Sequence, residues 1–131
     1  MDKVVYKDLS YKICGLLYKT HNNLGRYKNE KQYADYFETL LKENKCKYIR
    51  EYKLAPSFEG EMNGRNICDF VIEDKIIIEF KAKRFLSKED YYQAKRYLSC
   101  MDSRLAILVN FRQKYLSPKR ILNNELLNKN L

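Results

Sequence analysis

The chain has 131 residues, 45% of them hydrophobic, which suits one domain with one core and is too short for two of ordinary size. Its formal charge is +9, unevenly spread: residues 1–79 hold 14 Lys and Arg against 13 Asp and Glu, a net +1, while residues 80–131 hold 12 against 4, a net +8. No run approaches the roughly 20 apolar residues that span a bilayer, and Met1-Asp2-Lys3-Val4-Val5-Tyr6-Lys7 lacks the apolar run of a signal peptide, so a cytoplasmic protein with no membrane partner is expected.

In chain order, Leu9, Ile13, Leu16, Leu17 and Leu24 stand near helical spacing and predict a first helix from Leu9 to Leu24, stopped by Gly25. Tyr33, Tyr36, Phe37, Leu40 and Leu41 fall on one face of a second, from about Asn29 to Asn44, with Asn29 placed to cap it. After Lys45 the pattern turns strand-like: Tyr48 to Leu54, Ser57 to Glu61, Ile67 to Ile72 and Lys75 to Ala82. Pro56, Met62-Asn63-Gly64 and Glu73-Asp74-Lys75 are the turns between them, and together they predict an antiparallel meander. Ser87 opens a helix of about fifteen residues with Glu89 and Asp90 in its first turn, Leu105 to Phe111 reads as a buried strand, and Ser117 to Leu122 as an edge strand. A strand, a helix and a strand in that order imply a crossover into a parallel neighbour. The order is ααβββαβ, an α/β fold with a mixed sheet.

The basic second half favours a polyanion, nucleic acid first, although a solvated basic face would have the same composition. Cys14, Cys46, Cys68 and Cys100 lack the paired spacing of zinc or redox motifs and read as free thiols. His21, the only histidine, falls near the apolar face of the first helix and reads as structural. No Gly-rich phosphate loop or Gly-x-Ser-x-Gly element is present, which leaves nucleotide hydrolysis and serine chemistry unsupported.

Chemistry concentrates in the segment Asp69 to Ala82. Residues two apart on a strand share a face, so Glu79 and Lys81 point one way while Ile76, Ile78 and Phe80 point the other. A hairpin loop centred on Asp74 sets position 69 across from position 79, two carboxylates at contact distance that repel unless a cation lies between them. An all-oxygen site of this kind suits Mg²⁺ or Mn²⁺. An isolated Glu-x-Lys would be an ordinary surface pair; the acid ten positions earlier, the apolar flanks and the following helix favour a site.

Asp69 followed by the Glu79-Phe80-Lys81 triplet resembles the PD-(D/E)XK nuclease superfamily. Within it the chain is similar to the small bacterial GxxExxY proteins: His21-Asn22-Asn23-Leu24-Gly25, Glu30-Lys31-Gln32-Tyr33, the Asp69 to Ala82 hairpin and Val109-Asn110-Phe111 carry the likeness over nearly the full length. Tyr27 stands where the first glycine of that family's name is expected. The resemblance implies a restriction-endonuclease-like fold, with the mixed sheet flanked by helices. It implies that Glu30, Asp69 and Glu79 hold Mg²⁺ or Mn²⁺ and that Lys81 serves the attacking water or the phosphate. Glu30 would also be favourable at any helix N-terminus. Gln93 and Tyr97 match the Gln-x-x-x-Tyr element that follows the triplet in several of these nucleases, one helical face apart by four.

The activity so implied is metal-dependent hydrolysis of nucleic acid, DNA ahead of RNA, with Lys83, Arg84, Lys88, Lys95, Arg96 and Tyr97 as the contacts that follow the strand. A homodimer is the assembly that so small a nuclease suggests. The competing readings are a non-catalytic nucleic-acid-binding or assembly module that keeps the fold, and a protein-interaction domain whose basic face is only solvated.

Overall fold

Apolar positions three and four apart build the first two helices. The computed structural model describes residues 4–125. In it α1 spans Lys7–Leu24, buries Ile13, Leu16 and Leu17, and ends at Gly25, whose φ of 79° lies where L side chains are strained. The helix begins two residues before the expected Leu9. α2 spans Glu30–Glu43 and buries Tyr33, Phe37, Leu40 and Leu41. Asn29 caps it reciprocally: its Oδ1 accepts from the Gln32 amide and its own amide donates to Gln32 Oε1, both at 2.9 Å.

The strands are β1 (Tyr48–Lys53), β2 (Ile67–Ile72), β3 (Ile76–Lys81), β4 (Leu105–Asn110) and β5 (Lys119–Leu122), with α3 (Lys88–Met101) between β3 and β4. Sheet order follows chain order, β1-β2-β3-β4-β5. The pairs β1/β2, β2/β3 and β4/β5 are antiparallel and β3/β4 is parallel, as the meander and the crossover require. The turn between β2 and β3 places Glu73 and Asp74 at φ 54° and 57°, with the Lys75 amide donating to the Ile72 carbonyl at 2.9 Å. Two consecutive left-handed residues match the twist of a tight hairpin, and the register Ile72↔Ile76, Phe70↔Ile78 is centred on Asp74.

Strand alternation divides the core. Phe70, Ile72, Ile76, Ile78, Phe80, Ile107 and Val109 pack with α1 and α2 on one side, while Val71, Ile77, Ala106 and Leu108 pack with Ala94, Tyr97 and Leu98 of α3 on the other. This mixed sheet with helices on both faces is the expected restriction-endonuclease-like arrangement. The interior strand β4 is buried at all six residues, hence its unbroken apolar run.

One expected element is absent. Ser57 to Glu61 is not a strand but a loop, because Gly60 and Gly64 take φ 97° and 83° and turn the chain. Glu61 fastens it, its Oε1 accepting from the Ser57 amide at 2.6 Å, the Ser57 hydroxyl at 3.0 Å and the Asn66 amide at 2.9 Å. All four cysteines are free.

Candidate active site

The β2/β3 ladder stops at Phe70↔Ile78, and two carboxylates take over the backbone donors beyond it. The Asp69 amide donates to Glu79 Oε1 at 3.1 Å, and the Phe80 amide donates to Asp69 Oδ2 at 2.7 Å. Each acid is therefore clamped by the opposite strand, side by side, as a hairpin centred on Asp74 dictates. Glu79 is only 4% exposed. Among the described residues no Lys, Arg or His lies within ion-pair distance of either acid.

The electrostatic consequence is direct. Burial, followed by the neighbouring Asp69 carboxylate, pushes Glu79 well above the ordinary range; the Asp69 amide and Lys81 oppose this without cancelling it. Burial raises Asp69 as well, against the Phe80 amide and the Glu79 carboxyl. Both carboxyls therefore hold a proton more tightly than isolated ones would. The same two acids, after burial itself, lift the Cys68 thiol to about 12, so that sulfur is inert as a nucleophile.

Lys81 points to the α3 side. Its Nζ donates to Gln93 Oε1 at 3.0 Å and stands 3.9 Å from Asp90 Oδ1. Glu30, at the exposed start of α2, shares a small hollow with Lys31, Arg50, Glu51, Asp69 and Phe80. Local desolvation raises its carboxyl first, Lys81 opposes, and Asp69 adds to the rise. Glu30 thus feels both groups, yet no three of His, Cys, Asp and Glu among the described residues form a ready metal cluster. The hydrogen-bonded unit is the Asp69–Glu79 pair, and Glu30 shares the hollow that Asp69 lines.

The expected contact residues scatter. Lys83 is tied to Asp90 at 2.7 Å. Arg84 and Lys88 are exposed. Arg96 Nε donates to Asn66 at 3.2 Å, and its guanidinium lies 5.5 Å from the Tyr97 ring centre. Lys95, one residue earlier and about 100° round the helix, faces Leu98, Ser99 and Leu122 at the β5 side. Tyr97, 4% exposed, belongs to the core beside Glu79 rather than to the surface, because its helical position is the one that faces the sheet. It has no open face for a nucleic acid, which corrects its expected role as a contact.

Two residues that sequence reasoning left without a role hold the frame. Asp90 Oδ2 accepts from the Ser87 amide at 2.7 Å and the Ser87 hydroxyl at 3.2 Å while binding Lys83. Burial would raise its carboxyl, but Lys83 and Ser87 outweigh that and hold it below the ordinary range. Asn110, 1% exposed, accepts from the Lys83 amide at 3.1 Å and the Arg112 amide at 3.3 Å and donates to the Lys83 carbonyl at 2.8 Å, tying the chain after Lys81 to the end of β4. Ser87-x-x-Asp90 is a capping-box spacing, and Asn110 closes an apolar run; both signals are in the sequence. Before Glu30, the Tyr33 hydroxyl donates to the Gly25 carbonyl at 2.6 Å and accepts from the Lys28 amide at 3.2 Å. His21 bonds the Gln113 carbonyl at 2.8 Å, a structural contact.

A mixed sheet with a carboxylate pair and a lysine at the splayed end of its hairpin defines a nuclease-type domain. A family model of the PD-(D/E)XK nuclease superfamily matches residues 7–121. The chain belongs to that superfamily. A search of curated proteins gave no match.

Proposed function

We propose that the protein is a metal-dependent nuclease that hydrolyses phosphodiester bonds in nucleic acid, DNA ahead of RNA. The observation that carries this reading is the Asp69–Glu79 pair, two clamped carboxylates that burial pushes up and that no Lys, Arg or His among the described residues meets at ion-pair distance. The pair fits a hard divalent ion, since Mg²⁺ is commonly held by one or two carboxylates and keeps several waters. When bound, Mg²⁺ or Mn²⁺ supplies Lewis-acid polarisation of the phosphate and neutralises the charge developing on it.

The remaining work falls to the chain's own groups. Asp69 and Glu79 would hold the ion, assisted by Glu30 from α2. Lys81, fixed by Gln93, presents its ammonium to the scissile phosphate and donates a hydrogen bond to the attacking water. Gln93 acts through Lys81 and is a positioning residue. The water oxygen bonds to phosphorus and gives up a proton to solvent, the ester P–O bond breaks, and the departing sugar oxygen takes a proton back from solvent. Arg84, Lys88 and Arg96 supply sequence-independent contacts to the backbone. The part of the protein within reach of the ion is small enough that two copies would suit cleavage of both strands of a duplex.

The test is a cleavage assay on single- and double-stranded DNA and RNA with Mg²⁺, Mn²⁺ or EDTA. Wild type should cut in metal and not in EDTA, and Glu79→Ala should lose cleavage while keeping or improving metal-free affinity. Tight binding with no metal-dependent cutting of any substrate would establish the non-catalytic module instead.

A further inference from the structure

Three loops meet where β3 and β4 end, and each presents a basic residue followed by an exposed ring. These are Arg26-Tyr27 before α2, Arg84-Phe85 after β3 and Lys114-Tyr115 after β4. The rings are 78%, 72% and 79% exposed. The cation of each dipeptide lies 5.3, 5.4 and 5.5 Å from its ring centre. Rings left in water at this cost, in company with cations, have the composition of a surface that stacks bases and neutralises phosphates.

The loops are also laced into one unit. Arg26 Nε donates to the Arg112 carbonyl at 3.1 Å and Arg112 Nε to the Arg26 carbonyl at 2.9 Å. The Asn110 clamp holds Lys83, and the Phe111 amide donates to the Lys81 carbonyl at 2.9 Å. The first loop leads directly into Glu30 and the second leaves directly from Lys81, so the rim is continuous along the chain with both groups.

We infer that Tyr27, Phe85 and Tyr115, with Arg26, Arg84 and Lys114, form a stacking rim for an unpaired nucleic-acid strand, so that the substrate is single-stranded or frayed at the point of entry. Bases inside a duplex already stack on one another and offer no free face to a ring; unpaired bases do. This inference rests on the reading of the site as one that acts on nucleic acid, and it names the form of substrate.

Binding to a fluorescein-labelled oligothymidylate of about 20 nucleotides and to a hairpin duplex of the same length is measured by anisotropy with the full chain in EDTA. The single strand should bind more tightly. Tyr27→Leu, Phe85→Leu and Tyr115→Leu combined should weaken single-strand binding by roughly five-fold or more for each ring that stacks, without changing duplex affinity or the salt dependence. A second variant guards against misfolding of the first: the chain has no tryptophan, so in Phe85→Trp the introduced indole is a unique reporter, quenched by the oligothymidylate and not by the hairpin. Equal or tighter duplex binding, an unchanged triple variant, or an unquenched indole overturns the rim. Metal plays no part in these readouts. Absence of Mg²⁺-dependent cleavage with ring-dependent binding would sink the nuclease reading and leave the rim standing, whereas cleavage with no ring dependence would sink the rim alone.

Discussion

Glu79→Gln should stabilise the metal-free protein, and the gain should grow with pH. Glu79 is 4% exposed, and its carboxyl is raised by burial and by Asp69. In the unfolded chain it returns to the ordinary value near 4.3. Below that value it is protonated in both states and its contribution is fully present. As pH rises through the window up to the folded value, the folded protein retains a proton that the unfolded chain has lost, and stability falls. The loss is at most about 1.4 kcal/mol per pH unit for one proton. The amide mimics the protonated acid: its oxygen can accept from the Asp69 amide and its NH₂ can donate to the Asp69 carboxylate. Denaturant unfolding in EDTA at a series of pH values from about 5 to 9 should therefore give a wild-type curve that declines more steeply than the variant's, the two converging toward the acid end. Parallel curves, or a variant less stable than wild type at pH 8, would refute the claim that the pair carries uncompensated charge.

Other outcomes follow from the same geometry. Mg²⁺ or Mn²⁺ at about 100 times its Kd should add about 2.7 kcal/mol to wild type, a Tm rise on the order of 10 °C in a domain of this size, and Asp69→Asn should abolish it in a thermal-shift assay. Asn110→Ala should destabilise by about 2 kcal/mol by leaving the Lys83 amide and carbonyl unpaired, read by chemical denaturation; a change under 0.5 kcal/mol would show that water replaces the side chain. Arg96→Ala should weaken metal-free binding and lower its log–log salt slope by about one unit, while Lys95→Ala, turned toward β5, should change neither.

Much of the architecture is legible in local pattern because local pattern is what forms it. The αL-tolerant Glu73-Asp74 turn fixes the hairpin register, and from that register the pairing of Asp69 with Glu79 follows without further information. The loop at residues 57–61 was harder to read: its alternation mimics a strand, and what defeats the strand is Glu61 bonding Ser57 and Asn66, a side-chain network with no periodicity. The standing apart of Lys95 and Arg96 was recoverable from helical geometry once Ala94, Tyr97 and Leu98 are recognised as the buried face. That face is also what removes Tyr97 from the surface. That Asn110 ends an apolar run is visible locally, but its partners lie 27 residues away across a parallel strand pair, and no local signal names them.

Over most of this fold the levels agree: helical spacing meets helices, alternating strands meet two separate cores, and the carboxylates of Asp35, Glu38 and Asp90 each face a cation. Asp69 and Glu79 break that agreement. The nearest ammonium, Lys81, is bonded to Gln93 and leans toward Asp90 instead of closing onto the acid pair. A sequence selected only for stability would replace one of the two acids with an amide, which keeps both backbone bonds and removes the repulsion. Local rules broken at one place, with no compensating ion pair among the described residues, point to a partner from outside, as the proposed function requires. Under the proposed function that partner is a hard cation, and Lys81, held toward α3 by Gln93, is the ammonium that meets the phosphate.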